Sequence, residues 1–192
     1  MTLKPTPQTL FFETQSEWET WLADNYSLEE GVILKFAKKG SGVTSINYDE
    51  ALDIALCYGW IDGQVKRIDE IFYGQKFTPR RTKSIWSKRN IGKVEELIAS
   101  DKMKRPGLDA IEAAKADGRW EQAYDSPANA TVPPELEVAL NASPTAKAFF
   151  ETLSKANRYA IIWRITTARK PETRAARLAK IMTMLESKET FH

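Results

Sequence analysis

The chain has 192 residues, 42% hydrophobic and 28% charged, and its 28 Lys and Arg against 26 Asp and Glu leave a net charge of +2. This composition excludes a disordered chain, and so even a balance argues against a protein that is basic throughout, as non-specific nucleic-acid binders are. A single cysteine, Cys57, and a single histidine, His192, exclude an internal disulfide and a thiolate metal cluster, and leave histidine-based catalysis or metal ligation without material.

Residues 1–8 carry two prolines and read as a loose lead-in. Thr14 and Glu17 match a capping box, and Trp18, Trp21 and Leu22 then fall on one face, which predicts a helix from Gln15 to Asn25. Residues 31–37 (GVILKFA) form a branched apolar run closed by turn chemistry at 38–42, the mark of a mostly buried strand. Gly40-Ser-Gly42 is too short for a phosphate-binding signature and reads as a plain turn. Residues 41–46 are either a loop or a short partner strand. Asn47 and Glu50 repeat the cap signature, and Leu52, Ala55 and Leu56 keep helical spacing up to Gly59. Cys57 lies on the apolar side of this helix as an inert buried thiol.

Residues 61–64 look like a turn, 64–68 and 71–78 like two strands joined by a tight hairpin at Asp69-Glu70, and Pro79 ends the pairing. Ser87 caps a third helix from Lys88 to about Ser100. Lys102–Gly107 reads as a basic linker and Leu108–Lys115 as a short helix, after which Trp120 and Tyr124 plug against the first half. The tract 125–132 (DSPANATV) is small and turn-prone, and strand signals stop there. The predicted organisation is therefore a part at 1–124, a linker at 125–132 and a helical part at 133–192. In that last part, proline near helix starts recurs at Pro134, Pro144 and Pro171, since a missing N–H costs nothing in a first turn. The fold class is α+β: a small, mainly antiparallel sheet with flanking helices, followed by a helical C-terminal subdomain.

The span from Lys76 to Lys93 holds seven positive side chains and no acidic one, with Phe77 and Trp86 among them. Such a run repels itself unless water, salt or an anionic partner screens it. Arg80 and Arg81 offer planar forks, Ser84 and Asn90 offer polar groups, and the helix start near Ser87 offers free N–H groups, so a phosphate or carboxylate fits there, with Trp86 to stack on a ring; the plainer and equally weighted reading is a solvated charge run with Trp86 packed inward. Asp62, set between Gly59-Trp60 and Gly63, either braces a turn or serves as a general base beside the arginines, with Trp60 as a pocket wall. Asn157 and Arg158 complete the pocket if they face the first half. A second basic set, Arg158, Arg164, Arg169, Lys170, Arg174, Arg177 and Lys180, makes a stripe whose plainer reading is an ordinary amphipathic helix.

Several blocks carry a resemblance. They are Glu17-Trp-Glu-Thr-Trp-Leu22, Ala51-Leu followed by the run Ala55–Gln64 (ALCYGWIDGQ), Phe77-Thr-Pro-Arg-Arg81 with Ser84-Ile-Trp-Ser87 and Asn90, Gly118-Arg-Trp120 with Ala123-Tyr-Asp-Ser126, and Asn157-Arg-Tyr-Ala160 with Lys170-Pro-Glu-Thr-Arg174. In this order, over nearly the whole length, the chain resembles the YdeI/OmpD-associated family, whose members are labelled bacteriocin-protection proteins. The resemblance implies a role in tolerating bacteriocins or cationic antimicrobial peptides, and for some members a periplasmic place beside a porin. It implies no catalytic residues.

The expected function is thus binding of an anionic small molecule in a cleft of Trp60, Asp62, Arg80, Arg81, Ser84, Trp86, Asn90, Asn157 and Arg158, in a stress or peptide-tolerance role. The alternatives are an enzyme using Asp62 as base on a phosphorylated or carboxylated substrate, and a nucleic-acid-binding module. No phosphate-loop, dinucleotide or zinc pattern is present, so no cofactor and no metal are expected. With no signal-peptide run and no segment able to span a bilayer, the expected location is cytoplasmic without membrane insertion. The oligomeric state is left open.

Overall fold

The computed structural model describes residues 6–191. Packing divides the chain into two units. The first runs to Trp86 and takes in Asn90–Glu121, while the second joins Ser87–Arg89 to the chain from Gln122 onward.

In the first unit the strands β1 (Gln8–Phe11), β2 (Val32–Ala37), β3 (Trp60–Arg67) and β4 (Phe72–Pro79) form one sheet in the order β1-β2-β4-β3. β1 and β2 are parallel, and the other two pairs are antiparallel. Helix α1 (Gln15–Asn25) begins at Thr14 and helix α2 (Tyr48–Cys57) at Asn47, each with a complete capping box, because these two sites put an acceptor three residues before a glutamate. Between β2 and α2, residues 41–46 are loop.

Three expectations are corrected. The lead-in is not loose up to Gln8: residues 1–5 lie outside the described residues, but Gln8 already pairs with Val32. This edge strand escaped notice because four residues are too few to display alternation. Residues 61–64 are not a turn but the start of β3, with a register shift between Asp62 and Val65. Gly63 sits in that irregularity, and Gln75 Nε2 donates to its carbonyl at 2.6 Å, occupying an acceptor the ladder skips. The true turn is Gly59, at φ 73°. The second half of the expected linker at Lys102–Gly107 is helix, for α4 spans Arg105–Ala116 with Pro106 in its first turn.

The core of this unit is aromatic. Trp18 stacks on Trp21 at 5.5 Å, and Trp60 meets both edge-on at 6.2 and 6.1 Å. Each buried indole N–H of this cluster finds a carbonyl, Trp18 at Ala51 (3.1 Å) and Trp60 at Tyr26 (2.7 Å), so large apolar area is buried without an orphaned donor. α2 packs on β3, and both α1 and α4 pack on α2. Helix α3 (Lys88–Ala99) turns Val94 and Leu97 inward.

The second unit is helical: α5 (Pro134–Ala142), α6 (Pro144–Thr152), α7 (Lys155–Thr166) and α8 (Pro171–Glu186). Leu136, Leu140, Phe150, Ile161, Ile165, Ile181 and Leu185 form its core. Ser143 and Ser154 cap α6 and α7 by accepting from the amides of Ala146 and Asn157. Glu135 on α5 and Arg174 on α8 are ion-paired. His192 lies outside the described residues.

Candidate functional site

The basic span contains no acid of its own, yet folding brings acids to it. Lys93 Nζ lies 2.7 Å from Asp53 and 3.6 Å from Asp49 on α2. Within the second unit, Lys88 Nζ lies 2.7 Å from Asp125. The self-repulsion inferred from the linear run is therefore relieved by partners distant in sequence.

Trp60 is fully buried and Trp86 is only 1% exposed. Neither ring is presented to a ligand, which removes the stacking role expected of Trp86. Its face is taken by Arg80, whose guanidinium carbon lies 3.5 Å from the ring centroid, while Trp120 lies 5.1 Å away at a 57° tilt. Arg80 also donates through Nη1 to the Ile85 carbonyl at 3.3 Å. Arg81 and Ser84 close a turn, the Arg81 amide donating to Ser84 Oγ and the Ser84 amide to the Arg81 carbonyl. Arg81's side chain is exposed.

A residue the sequence reading passed over organises this turn. Arg119 is 5% exposed, holds both Asp117 oxygens through Nε at 2.8 and 2.7 Å, and donates to the Ser84 carbonyl at 2.9 Å. A buried guanidinium needs such partners to offset its desolvation. Asn90 is 7% exposed on α3. Asp62, half-buried on β3, accepts from the Tyr48 hydroxyl at 2.9 Å, which ties β3 to the start of α2. Asn157 and Arg158 belong to the second unit, on the first turn of α7, where Arg158 donates to the Glu151 carbonyl and lies over Phe150. Of the expected site residues, then, the structure brings Arg80 onto Trp86 and Arg81 to Ser84.

An accessible hollow lies in the second unit. Tyr124, Pro127, Lys155, Tyr159, Trp163 and Arg164 are among the residues that line a cavity of about 640 Å³, within the range of small-molecule sites. Tyr124, Tyr159 and Trp163 also wall an adjoining hollow of 250 Å³. The stripe on α7 follows from spacing: Ala156 and Ala160 are one turn apart, as are Tyr159 and Trp163. The small residues make the floor and the aromatics make the wall.

Tyr124 and Trp163 meet edge-on at 6.1 Å. The Tyr159 hydroxyl donates to the Asp125 carbonyl at 3.0 Å. Burial pushes its phenol pKa up, and Tyr124 and Asp125 add to the effect, so it stays protonated as the donor. Lys155 is exposed at the first position of α7, where the helix end adds positive potential. Arg164 donates to the Ala160 carbonyl at 2.9 Å and stacks over Phe191 at 3.8 Å. The sequence signal that marks this groove is the alternation of Ala156 and Ala160 with Tyr159 and Trp163. Tyr124, some thirty residues earlier in the chain, has no local signal at all.

The second basic set is largely committed. Arg174 pairs with Glu135 and Arg177 donates to the Arg164 carbonyl at 2.7 Å. Cys57 is a buried thiol, pushed up to about 11 chiefly by burial. Among the described residues no group of three or more His, Cys, Asp or Glu is placed to hold a metal ion, and no helix is long and apolar enough to cross a membrane.

Compared with known families, residues 10–110 match the one described as Domain of unknown function (DUF8412). Residues 129–188 match the one described as Bacteriocin-protection, YdeI or OmpD-Associated. The resemblance drawn from sequence blocks along nearly the whole chain is thus carried by the C-terminal part, which includes most of the aromatic groove. No curated protein and no solved structure matches the chain.

Proposed function

The chain belongs to the family described as Domain of unknown function (DUF8412) and carries a YdeI/OmpD-associated bacteriocin-protection domain as its C-terminal part, and from that premise we propose that it binds an anionic small molecule in the groove of Tyr124, Tyr159 and Trp163. The observation that carries this reading is a 640 Å³ hollow walled by three aromatic rings with Lys155 and Arg164 at its margin. A flat apolar body gains by burial against the rings and the alanine floor. A carboxylate or phosphate on that body is directed to Lys155, whose ammonium is exposed and adjoins the positive end of α7. The basic, tryptophan-lined cleft expected from the sequence thereby moves from Trp86 and Arg80 to Trp163 and Lys155. The biological role we assign is tolerance of antimicrobial peptides or a related stress, as the family's description suggests.

Calorimetric titration with phenyl phosphate tests this. The expected result is saturable binding that weakens about tenfold in Lys155→Gln, the loss of one charge-assisted contact, and that fails for uncharged phenol. Absence of binding to phenyl phosphate and to benzoate alike, or equal binding by Lys155→Gln, refutes the assignment.

A further inference from the structure

The sheet of the first unit is covered on one face. Val32, Leu34 and Phe36 of β2 alternate inward, Phe36 lies against Phe77 of β4, and Phe77 in turn meets Trp18 of α1. On the opposite face the register aligns Phe11, Lys35, Gly74 and Lys66 in a row across the four strands, with Thr9, Ile33 and Lys76 in the adjoining row. Phe72 sits beside them, opposite Ala37. No residue in these positions is acidic.

Phe11 is 36% exposed and Phe72 half-buried. Their rings meet edge-on at 5.7 Å, and Lys35 Nζ lies 4.0 Å from the Phe72 centroid and 5.8 Å from that of Phe11. Gly74 lies close to Ile33 and Ile68: a Cβ there would stand 2.8 Å from Ile33 Cγ2 and 3.2 Å from Ile68 Cδ1. The carboxylates at the hairpin end are occupied, Asp69 by the amides of Ile71 and Phe72 and Glu70 by Arg67.

We propose that this face binds single-stranded nucleic acid, with bases stacked on Phe11 and Phe72 and phosphates held by Lys35, Lys66 and Lys76. Aromatic rings on a sheet surface offer platforms that any base can use, while the lysines follow the backbone without reading sequence. A phosphate draws Lys35 off the Phe72 ring and so opens that ring to a base. Duplex DNA hides its base faces and gains only the charge contribution, so it binds more weakly. The near-neutral net charge of the chain is no obstacle, because the lysines are concentrated on one face and screening confines their field to about 10 Å.

The test is fluorescence anisotropy of the full chain with a labelled oligouridylate of about ten nucleotides, a DNA duplex of equal length, and sedimentation with phosphatidylglycerol vesicles. Binding of the oligouridylate is expected at about 50 mM salt, with a log–log salt slope of about −2, from about −0.7 for each of three phosphates neutralised. Phe11→Leu with Phe72→Leu is expected to weaken it about tenfold or more. Replacing the three lysines by glutamine is expected to flatten the slope, with the circular dichroism spectrum of the parent retained. Failure to bind the oligouridylate overturns the proposal, whether or not vesicles are bound. So does equal or tighter binding of the duplex, affinity unchanged by the leucine pair, or a slope unchanged by the glutamines.

Discussion

Replacing Arg80 and Arg81 one at a time distinguishes a ligand-binding pair from a structural one. Arg80 lies 3.5 Å from the centroid of Trp86 and donates to the Ile85 carbonyl. A cation stacked on a buried indole contributes about 2 kcal/mol, and a hydrogen bond from a charged donor at this long distance adds about 1 kcal/mol. Arg80→Ala is therefore expected to cost about 3 kcal/mol, which in a chain of this size lowers Tm by about 6–12 °C. Arg81 contributes backbone groups to its turn and keeps its side chain in water, so Arg81→Ala is expected to stay within about 0.5 kcal/mol of the parent. Urea unfolding followed by tryptophan fluorescence and circular dichroism measures both. Equal stability losses in the two variants, or an Arg80→Ala variant as stable as the parent, would refute the stacking argument.

Three other perturbations have expected signs. The folded Cys57 thiol is pushed from its ordinary 9.0 to about 11 by burial first, so the native state keeps its proton longer than the unfolded chain. That contribution is whole below about pH 9 and is lost as pH rises through about 11. Urea midpoints of the parent should fall across that window more steeply than those of Cys57→Ala, and identical pH profiles would contradict it. Burial raises the Glu135 carboxyl pKa, but the hydrogen bond from Arg174, the backbone bond and the Arg174 charge outweigh it, leaving a net lowering. Its stabilising contribution is present above the unfolded carboxyl pKa and lost as pH falls through the folded one. With both side chains about a third exposed, Arg174→Gln should cost no more than about 1 kcal/mol at neutral pH and lessen the acid sensitivity of unfolding. Gly107→Ala should gain about 1 kcal/mol by helix propensity. A Cβ there, however, stands 2.3 Å from the Cys57 carbonyl oxygen, and the clash should turn this into a net loss of about 2 kcal/mol. A stabilised variant in thermal unfolding would contradict that packing.

Local chemistry was legible in the sequence. The capping boxes at Thr14 and Asn47, the Asp69 hairpin, the end of pairing at Pro79 and the proline starts of α5, α6 and α8 all depend on residues within a few positions of one another. Long-range partners were not. Nothing near Lys93 announces Asp53, forty positions earlier, and nothing near Ser84 announces Arg119. The acid-free basic run looked unopposed for this reason alone. Trp86 read equally well as a ligand platform or as core, since a lone indole in a polar stretch has no periodicity to decide its direction, and its burial under Arg80 appears only in three dimensions. Within the groove, the α7 stripe was open to inspection, but its Tyr124 wall depended on a chain reversal that no local pattern encodes.

The groove can be tested most directly by mapping amide and indole chemical shifts as phenyl phosphate is added to the full chain. Saturable movement of Tyr124, Ala156, Ala160 and the Trp163 indole, with that of the first three abolished in Trp163→Ala, is the predicted result. Movement centred on Arg81 and Ser84 with the Trp163 indole unchanged would contradict it.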